Sequence, residues 1–415
     1  MKMKKKYVCI LLFLSTILSQ SQTKILFDAT KAQMAGNADW IIDADVFNIR
    51  FTGGPASIGG SESNPQRVPT PAQSGITATT LENFWTGGIS AWAIDCAKLG
   101  YAVESLSYDK LITYGVTTNP QDLSNYKVFI TVEPNILYSA TQKTALINFV
   151  QNGGGLFIVS DHDIADRNND GVDAVGVLND LMTNNTVVNN PFGISFDVNN
   201  TGNITSSNVA NLPLNESLNG SFGSVTQIKY SQGATMSINT TANSTVKGLI
   251  FTTGSSTTGN SNILFATSTY GLGKIAAMGD SSPADDGTGD VNDILYYGYS
   301  DINGNHQRLI MNTTQWLATS NLANKEFNLN ENNFYVSPNP IKNNNLVLNY
   351  LVTELNNFSV NIYDLMGKKI LSQKINNEKI GFNSDIISLQ NLKSGIYLCT
   401  VENEKGQKTL KFIVE

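Results

Sequence analysis

Short apolar segments of strand length alternate with segments whose apolar residues recur at helical spacing. The strand-like segments are Lys24–Phe27, Tyr101–Leu106, Lys127–Val132 and Leu156–Val159. Leu81–Leu99 has helical spacing and stops at Gly100, and a capping-box pattern at Ser139 and Gln142 starts a second helix that runs to Val150. Strands and helices that alternate in this way predict an α/β fold with a doubly wound, mostly parallel sheet.

The pattern is interrupted and then resumes. Residues 185–245 are rich in Asn, Ser, Thr and Gly, which predicts an insertion of loops and short strands. Strand-like runs return at Val246–Phe251, Ile263–Ala266 and Lys274–Met278, and a helix over His306–Ala318 closes the domain. We therefore predict one α/β domain over residues 22–320.

The first 21 residues have the order of a secretory signal peptide. A basic start, MKMKKK, is followed by the apolar run Tyr7–Leu18, and Ser19 and Ser21 are the small residues before a cut. The alternative is a membrane anchor, but the apolar run is shorter than a bilayer span, and no other segment is apolar enough for one.

The chain is acidic, with a formal net charge of −7 that becomes −11 without the four lysines of the leader. Such a charge argues against nucleic acid or an anionic membrane as partner and suits the binding of cations. Cys96 and Cys399 fall in different predicted domains, so we expect no disulfide framework.

The C-terminal region differs in composition. A polar linker over residues 321–333 precedes about seven short strand-like runs in residues 334–415, which predict a small all-β, immunoglobulin-like sandwich. Three motifs resemble the type A sorting domain of the type IX secretion system of Bacteroidetes: YVSPNP (Tyr335–Pro340), VNIYDLMGKKI (Val360–Ile370) and LKSGIYLCTVENEKGQKTLKFIVE (Leu392–Glu415). The alternative is a generic sandwich that binds carbohydrate or stabilises the chain. The resemblance implies the secretion machinery as a partner and a secreted or outer-surface location.

A second resemblance concerns the α/β domain. The runs TALINFVQNGGGLFIVSDHD and YGLGKIAAMGDSSPADDGTGD resemble the class I glutamine-amidotransferase-like superfamily, including its trehalose-utilisation-type relatives. This implies a flavodoxin-like sheet over about residues 24–319. The amidotransferases use a nucleophilic Cys after the Gly-rich strand, where this chain reads VSDHD. The resemblance therefore argues against glutamine hydrolysis.

Acidic residues follow the predicted strands repeatedly. Ligands of open α/β sheets bind beyond the carboxyl ends of the strands. Acids at one edge repel unless cations or protons neutralise them, so we predict an acidic site there; the alternative is that individual acids point into solvent or cap helices. The acids concerned are Asp28, Glu133, Asp161, Asp163 and Asp280.

A calcium loop is predicted over DRNNDGVD. Asp166, Asn168 and Asp170 alternate and Gly171 follows, as in the first half of an EF-hand loop, and Asp173 or Asp180 could supply a further carboxylate. The alternative is a solvated turn.

A second acidic loop, Gly279–Asp290, offers Asp280, Asp285, Asp286 and Asp290 as hard oxygen ligands for a divalent cation. Its alternative is a structural loop. Asn37, Asp39 and Asp43 are candidates to fold over the same edge, and Arg67 could clamp an anionic group or pair with an acid.

Histidine is confined to His162 and His306. His162 lies between two acids after the Gly-rich strand, where it suits a metal ligand or a general acid/base, with a plain surface histidine as the alternative. We expect His306, at a helix start, to be structural.

Two functions follow from these residues. The first is a secreted hydrolase of carbohydrate-type substrates, with His162, Asp161 and Glu133 as catalytic residues and a divalent cation, calcium before others, as cofactor. Its substrate class comes only from the trehalose-utilisation-type resemblance. The second is a non-catalytic, calcium-stabilised surface protein that binds glycans or a partner. A third, an inactive relative retained as a scaffold, also stays open.

Overall fold

The structure is a computed structural model. It describes residues 22–35, 38–44, 49–50, 57–58, 70, 72–289, 298–319, 334–352, 358–376, 381–390, 392–403 and 406–415. The signal-peptide and linker predictions, Asn37, Arg67 and Asp290 lie outside these residues. The chain divides into two compact units, Met1–Ser320 and Asn321–Glu415.

The described part of the first unit contains four α-helices and sixteen strands. The helices are α1 (Ser90–Lys98), α2 (Ala140–Gln151), α3 (Ala174–Thr183) and α4 (His306–Ala318). The strands up to the insertion are β1 (Lys24–Asp28), β2 (Ile49–Arg50), β3 (Ser57–Ile58), β4 (Ala102–Leu106), β5 (Val128–Val132) and β6 (Gly155–Val159). The later ones are β7 (Ile194–Phe196), β8 (Asn203–Ser206), β9 (Asn208–Val209), β10 (Asn219–Gly220), β11 (Gly223–Ser224), β12 (Ile228–Ser231), β13 (Met236–Ile238), β14 (Lys247–Phe251), β15 (Ile263–Tyr270) and β16 (Gly273–Met278).

The main sheet is mixed. Its parallel part runs in the order β4-β1-β5-β6-β16, and β15 then pairs antiparallel with β16. Beyond β15 the sheet continues through β13 to β7 and, separately, through β14 to β9. Strands β1, β4, β5 and β6 come from the segments before the insertion, and β16, the second strand of the later hairpin, adds to them parallel to β6. The antiparallel part comes from the insertion and the hairpin that follows it.

Helices cover both faces of this sheet. Alternate residues of β1 point to opposite faces, as a strand requires. Ile25 and Phe27 pack in one core cluster with residues of α1 and α4, such as Trp92 and Leu309, whereas Leu26 packs in a second cluster with residues of α2 and α3. The Trp92 ring lies edge-on to Phe27 at 5.6 Å between centroids and to Phe157 at 5.0 Å.

Helix α1 is shorter than its sequence pattern. It begins at Ser90, although helical spacing extends back to Leu81. Gly87 and Gly88 precede it and lie directly against the backbone carbonyls of Ile41 and Asp39, where a Cβ atom would come within 2.3 and 2.7 Å of the oxygens. This close approach needs glycine, and it holds the chain in a turn before the helix can start.

The second unit is all β. Its strands are β17 (Phe334–Ser337), β18 (Asn345–Val352), β19 (Phe358–Asp364), β20 (Lys369–Ile375), β21 (Gly381–Ser388), β22 (Gly395–Asn403) and β23 (Gly406–Val414). They form two antiparallel sheets, β17-β18-β21 and β20-β19-β22-β23. Both sheets contribute to one core, in which Phe334, Tyr350 and Phe358 pack against each other. The molecule thus has a mixed sheet with few helices and a separate C-terminal all-β region.

Candidate functional site

Three parallel strands end level with each other. Val132 of β5, Val159 of β6 and Met278 of β16 are direct register partners. The ladder continues one residue further, since the amide of Glu133 donates to the carbonyl of Val159 at 2.9 Å and that of Ser160 to Met278 at 2.8 Å. The side chains that follow these strands therefore start from the same edge of the sheet.

Glu133 is the first of these side chains. It is fully buried and has a φ of +44°, a left-handed conformation that non-glycine residues rarely adopt. Its carboxylate accepts hydrogen bonds from the indole of Trp40, from Ser281 Oγ at 3.0 Å and from Arg167 Nε at 2.6 Å. A strained backbone that aims a fully bonded, buried carboxylate is a feature that clusters at functional sites.

Arg167 joins Glu133 to Asp161. Besides its bond to Glu133, the guanidinium donates through Nη2 to Asp161 Oδ2 at 3.0 Å. Asp161 is 3% exposed, and its other oxygen accepts the amide of His162 at 2.8 Å. Burial, followed by the charges of Glu133 and Asp280, raises the pKa of Asp161 well above its ordinary value, although Arg167 opposes the shift.

Asp280 completes the group from β16. It is fully buried and accepts the backbone amides of Ser231 at 2.6 Å and Ser282 at 2.9 Å. Burial raises the pKa of Asp280 to about 7, against those hydrogen bonds. Its neighbour Ser281 donates to Glu133, so β5 and β16 are linked at this edge.

We call Glu133, Asp161, Asp280 and Arg167 the edge cluster. It offers three carboxyl groups to one guanidinium, all in a nearly dry environment. A buried, unpaired ion costs several kcal/mol even after relaxation. The raised pKa values of Asp161 and Asp280 fit this imbalance, because a bound proton removes one negative charge. The arrangement can therefore hold a proton next to an ionised carboxylate.

Asp28 lies in a neighbouring network. It is 2% exposed and accepts from Thr30 and Thr131, and Tyr138 lies at 3.5 Å from the same carboxylate. Burial raises the pKa of Asp28. Lys31 is buried close by, donates to Gln142 Oε1 at 2.8 Å and lies over the Tyr138 ring, and burial lowers its pKa.

Asp285 and Asp286 extend away from the edge cluster. Asp286 accepts from the Ser90 hydroxyl at 2.5 Å and the Ala91 amide at 2.7 Å, so it caps α1, and it also accepts from Thr288. Burial raises the pKa of Asp286. Asp285 is fully buried and accepts the Gly287 amide at 2.8 Å.

The ring of His162 contacts the backbone of an acidic neighbour. Its Nδ1 lies 2.6 Å from the carbonyl of Asp163, and the ring is partly exposed. The amide of Asp163 donates to Asn199. His306 is buried at the start of α4, with Nδ1 on the carbonyl of Gly298 and Nε2 accepting the Lys229 amide.

The loop between β6 and α3 carries the predicted calcium residues. Asp166 accepts the amides of Asp170 at 3.2 Å and Gly171 at 2.7 Å, and Asn168 Nδ2 donates to Asp170 Oδ2 at 3.0 Å. Asp173 instead caps α3 through Gly176 and also accepts the Ile164 amide. Asp180 pairs with Lys143.

The described residues contain neither a cluster of typical metal ligands nor a helix suited to a membrane. No three or more His, Cys, Asp or Glu side chains there are grouped so as to hold a metal ion. No described helix is both long and apolar enough for a membrane span. Of the N-terminal acids, Asp39 and Asp43 are described and buried, and Cys96 and Cys399 are buried free thiols.

Sequence reasoning missed Arg167, Trp40 and Ser281 as partners of the edge cluster. Arg167 has a usable signal, because it is one of very few arginines in the chain and lies close to several acids in the sequence, where an ion pair is expected. Trp40 is 93 positions away from Glu133 along the chain, and its contact depends on the tertiary fold.

The second unit matches a known protein family, and solved structures are similar to parts of the chain. Residues 335–415 match the family described as "Secretion system C-terminal sorting domain". No curated protein gives a significant match. A solved structure described as "mmIFT52 N-terminal domain" is 15% identical, with a TM-score of 0.41, and the match covers 72% of this chain and 99% of that one.

Two further solved structures are similar. A ThuA-like protein from Parabacteroides merdae is 12% identical, with a TM-score of 0.33 over 59% of this chain and 88% of its own. PorZ, a surface component of the type IX secretion system of Porphyromonas gingivalis, is 21% identical, with a TM-score of 0.16 over 20% of this chain and 11% of its own. These scores are too low to assign a function to the first unit. Residues 335–415 are a type IX secretion C-terminal sorting domain, and the protein is secreted or held at the cell surface.

Proposed function

We propose that this exported protein is an extracellular hydrolase whose acid/base centre is the edge cluster. The observation that carries the proposal is the single guanidinium of Arg167 bonded to both Glu133 and Asp161. It holds two buried carboxyl groups close together, and the imbalance of charge favours one neutral and one ionised member. That combination is what general acid/base chemistry requires.

The substrate class proposed is carbohydrate, since a pair of carboxyl groups is the usual machinery of glycoside hydrolysis. The Glu133 carboxylate accepts three hydrogen bonds, from Trp40, Arg167 and Ser281, and in this proposal it serves as the ionised partner. Asp161, whose protonated form burial favours, serves as the acid. His162 lies next in the chain, at the partly exposed rim, and is placed to contact a substrate.

This proposal does not use a divalent cation at the sheet edge, where the sequence suggested one for Asp28 and Asp280. Arg167 supplies a positive charge there instead.

We also propose that the sheet of the first unit is flavodoxin-like and that the C-terminal region is immunoglobulin-like. Helices on both faces of the sheet support the first description, and two sheets around one core support the second.

The test is release of reducing ends from a panel of extracellular polysaccharides by the full secreted chain. We expect Glu133→Gln and Asp161→Asn to lower the rate by about 10³-fold or more, as loss of an acid/base group does. Asp109→Asn is the matched control, because Asp109 is exposed and its ion pair is with the equally exposed Lys110. Equal rates in wild type and Glu133→Gln would contradict the proposal.

A second candidate is a non-catalytic, calcium-stabilised surface protein that binds glycans. It is favoured by the near-complete burial of Glu133, Asp161 and Asp280, which leaves little of them to contact a substrate. If the panel shows no hydrolysis but retention of the protein on a glycan, this candidate replaces the first.

A further inference from the structure

The loop between β6 and α3 has two faces. On one side Asn168 Nδ2 donates to the Asp170 carboxylate, and the Gly171 and Asp170 amides donate to the Asp166 carboxylate and so hold the turn. Gly171 has a φ of +91°, which permits the tight path. Each Asp166 oxygen accepts one hydrogen bond and keeps a second lone pair.

One atom in this loop lacks a partner. Asn168 is 1% exposed, and its Oδ1 has no hydrogen-bond donor among the described residues. A buried amide oxygen without a donor is unfavourable, because it has lost its hydrogen bonds to water and gained none from the protein. The same amide group lies against the Asp170 carboxylate, so a half-turn about its last torsion would direct Oδ1 to that side. An oxygen beside carboxylates, without a donor, is placed for a cation.

Between these residues, Arg167 faces the opposite way. Its guanidinium bonds to Glu133 and Asp161, and its backbone amide donates to Asn135 Oδ1 at 3.0 Å. Asn135 in turn donates to the backbone carbonyl of Glu133 at 2.8 Å. The loop is thus fixed to the end of β5 at two points, and its conformation sets the position of the guanidinium.

We infer that the loop binds Ca²⁺ through Asp166, Asn168 and Asp170, and that the bound ion fixes Arg167 against Glu133 and Asp161. Calcium takes 6–8 oxygens in a flexible geometry and accepts amide and backbone carbonyls, so two carboxylates and one amide leave room for backbone oxygens and water. Arg167 is a positioning residue here. The importance of this coupling for catalysis rests on the proposed function, whereas the binding of calcium does not.

The first arm of the test is calorimetric titration of the full chain with CaCl₂ after chelation. We expect one site that is lost in Asp166→Ala and Asp170→Ala. Asn168→Asp separates a ligand from a structural amide: without calcium it should lower Tm, because it adds a third carboxylate, and with calcium it should raise affinity at least tenfold. Asn303→Asp is the control, since Asn303 donates to Asp301 in an exposed turn.

The second arm follows Arg167 without any substrate. The NMR signal of the Arg167 Nε–H is identified as the arginine signal that is missing in Arg167→Lys. Its hydrogen exchange with solvent should slow at least tenfold when CaCl₂ is added. The site is overturned if the wild type does not bind calcium. It is also overturned if Asn168→Ala binds calcium as tightly as the wild type and Asn168→Asp do. Binding with unchanged exchange overturns the coupling. Either result is independent of whether the protein hydrolyses a polysaccharide.

Discussion

Two groups of acids in the first unit differ in how the repulsion between their carboxylates is balanced. In the edge cluster the carboxyl groups are buried and are balanced by Arg167 and by raised pKa values. In the loop, Asp166 and Asp170 are less buried and are balanced by backbone amides, with one unsatisfied amide oxygen between them. Burial therefore favours a bound proton and a fixed guanidinium in the edge cluster. Access to solvent favours a cation in the loop between β6 and α3.

Removal of Arg167 should have the largest effect. Arg167→Met keeps much of the volume but leaves Glu133 and Asp161 buried without their counter-charge, and we expect a loss of about 3–5 kcal/mol in the free energy of unfolding. Chemical denaturation measures it. Arg308→Met is the control, because Arg308 is exposed and donates through Nη1 to a backbone carbonyl of β11 rather than to a carboxylate. Equal losses in both variants would mean that the cluster is not charge-balanced by Arg167.

The pH dependence of stability should be the next largest effect. A carboxyl group whose pKa is raised on folding binds its proton more tightly in the native state, so its contribution is present at low pH and is lost as pH rises. For Asp280 the window runs from the ordinary value of 3.8 to about 7. The expected loss of unfolding free energy across this window is about 4 kcal/mol at most, and chemical denaturation at a series of pH values measures it.

Asp280→Asn should flatten this decline. The variant has a lower stability throughout, because an amide nitrogen replaces one acceptor of the Ser231 and Ser282 amides, so the slope is the informative quantity. Parallel slopes for wild type and variant between pH 4 and 7 would contradict the assignment.

A smaller effect distinguishes Asp286 from a metal ligand. Since Asp286 caps α1 through the Ala91 amide, Asp286→Ala should lower the free energy of unfolding by about 1–2 kcal/mol. Its affinity for calcium should stay at the wild-type value. A large loss of calcium affinity in this variant would place the cation in the second acidic loop, as the sequence alone allowed.

Gly171→Ala should have the smallest effect on stability. No atom lies within 4 Å of the added Cβ, so the cost is that of the positive φ alone, about 1 kcal/mol. We expect calcium to be bound several-fold more weakly, because the loop has to shift. Unchanged thermal stability and calcium titration would show that the turn is not constrained as described.

The sequence predicts the strand ends better than their contacts. Periodicity places the ends of β5, β6 and β16, and hence Glu133, Asp161 and Asp280 at one edge, because parallel strands that alternate with helices share their carboxyl edge. It does not predict that Asp286 caps α1 or that Trp40 contacts Glu133, since both depend on distant segments. The contact of His162 Nδ1 with the backbone carbonyl of Asp163 depends on the path of the turn after β6, which the periodicity of the sequence does not specify.

The most direct measurement is infrared difference spectroscopy of the carboxyl C=O stretch at pH 6, where exposed acids with ordinary pKa values near 4 are ionised. The account predicts a protonated carboxyl band in the wild type that weakens in Asp280→Asn or Asp161→Asn but not in Asp109→Asn. The absence of any protonated carboxyl band at that pH would contradict it, because the three carboxyl groups would then have to be balanced by something other than Arg167 and a proton.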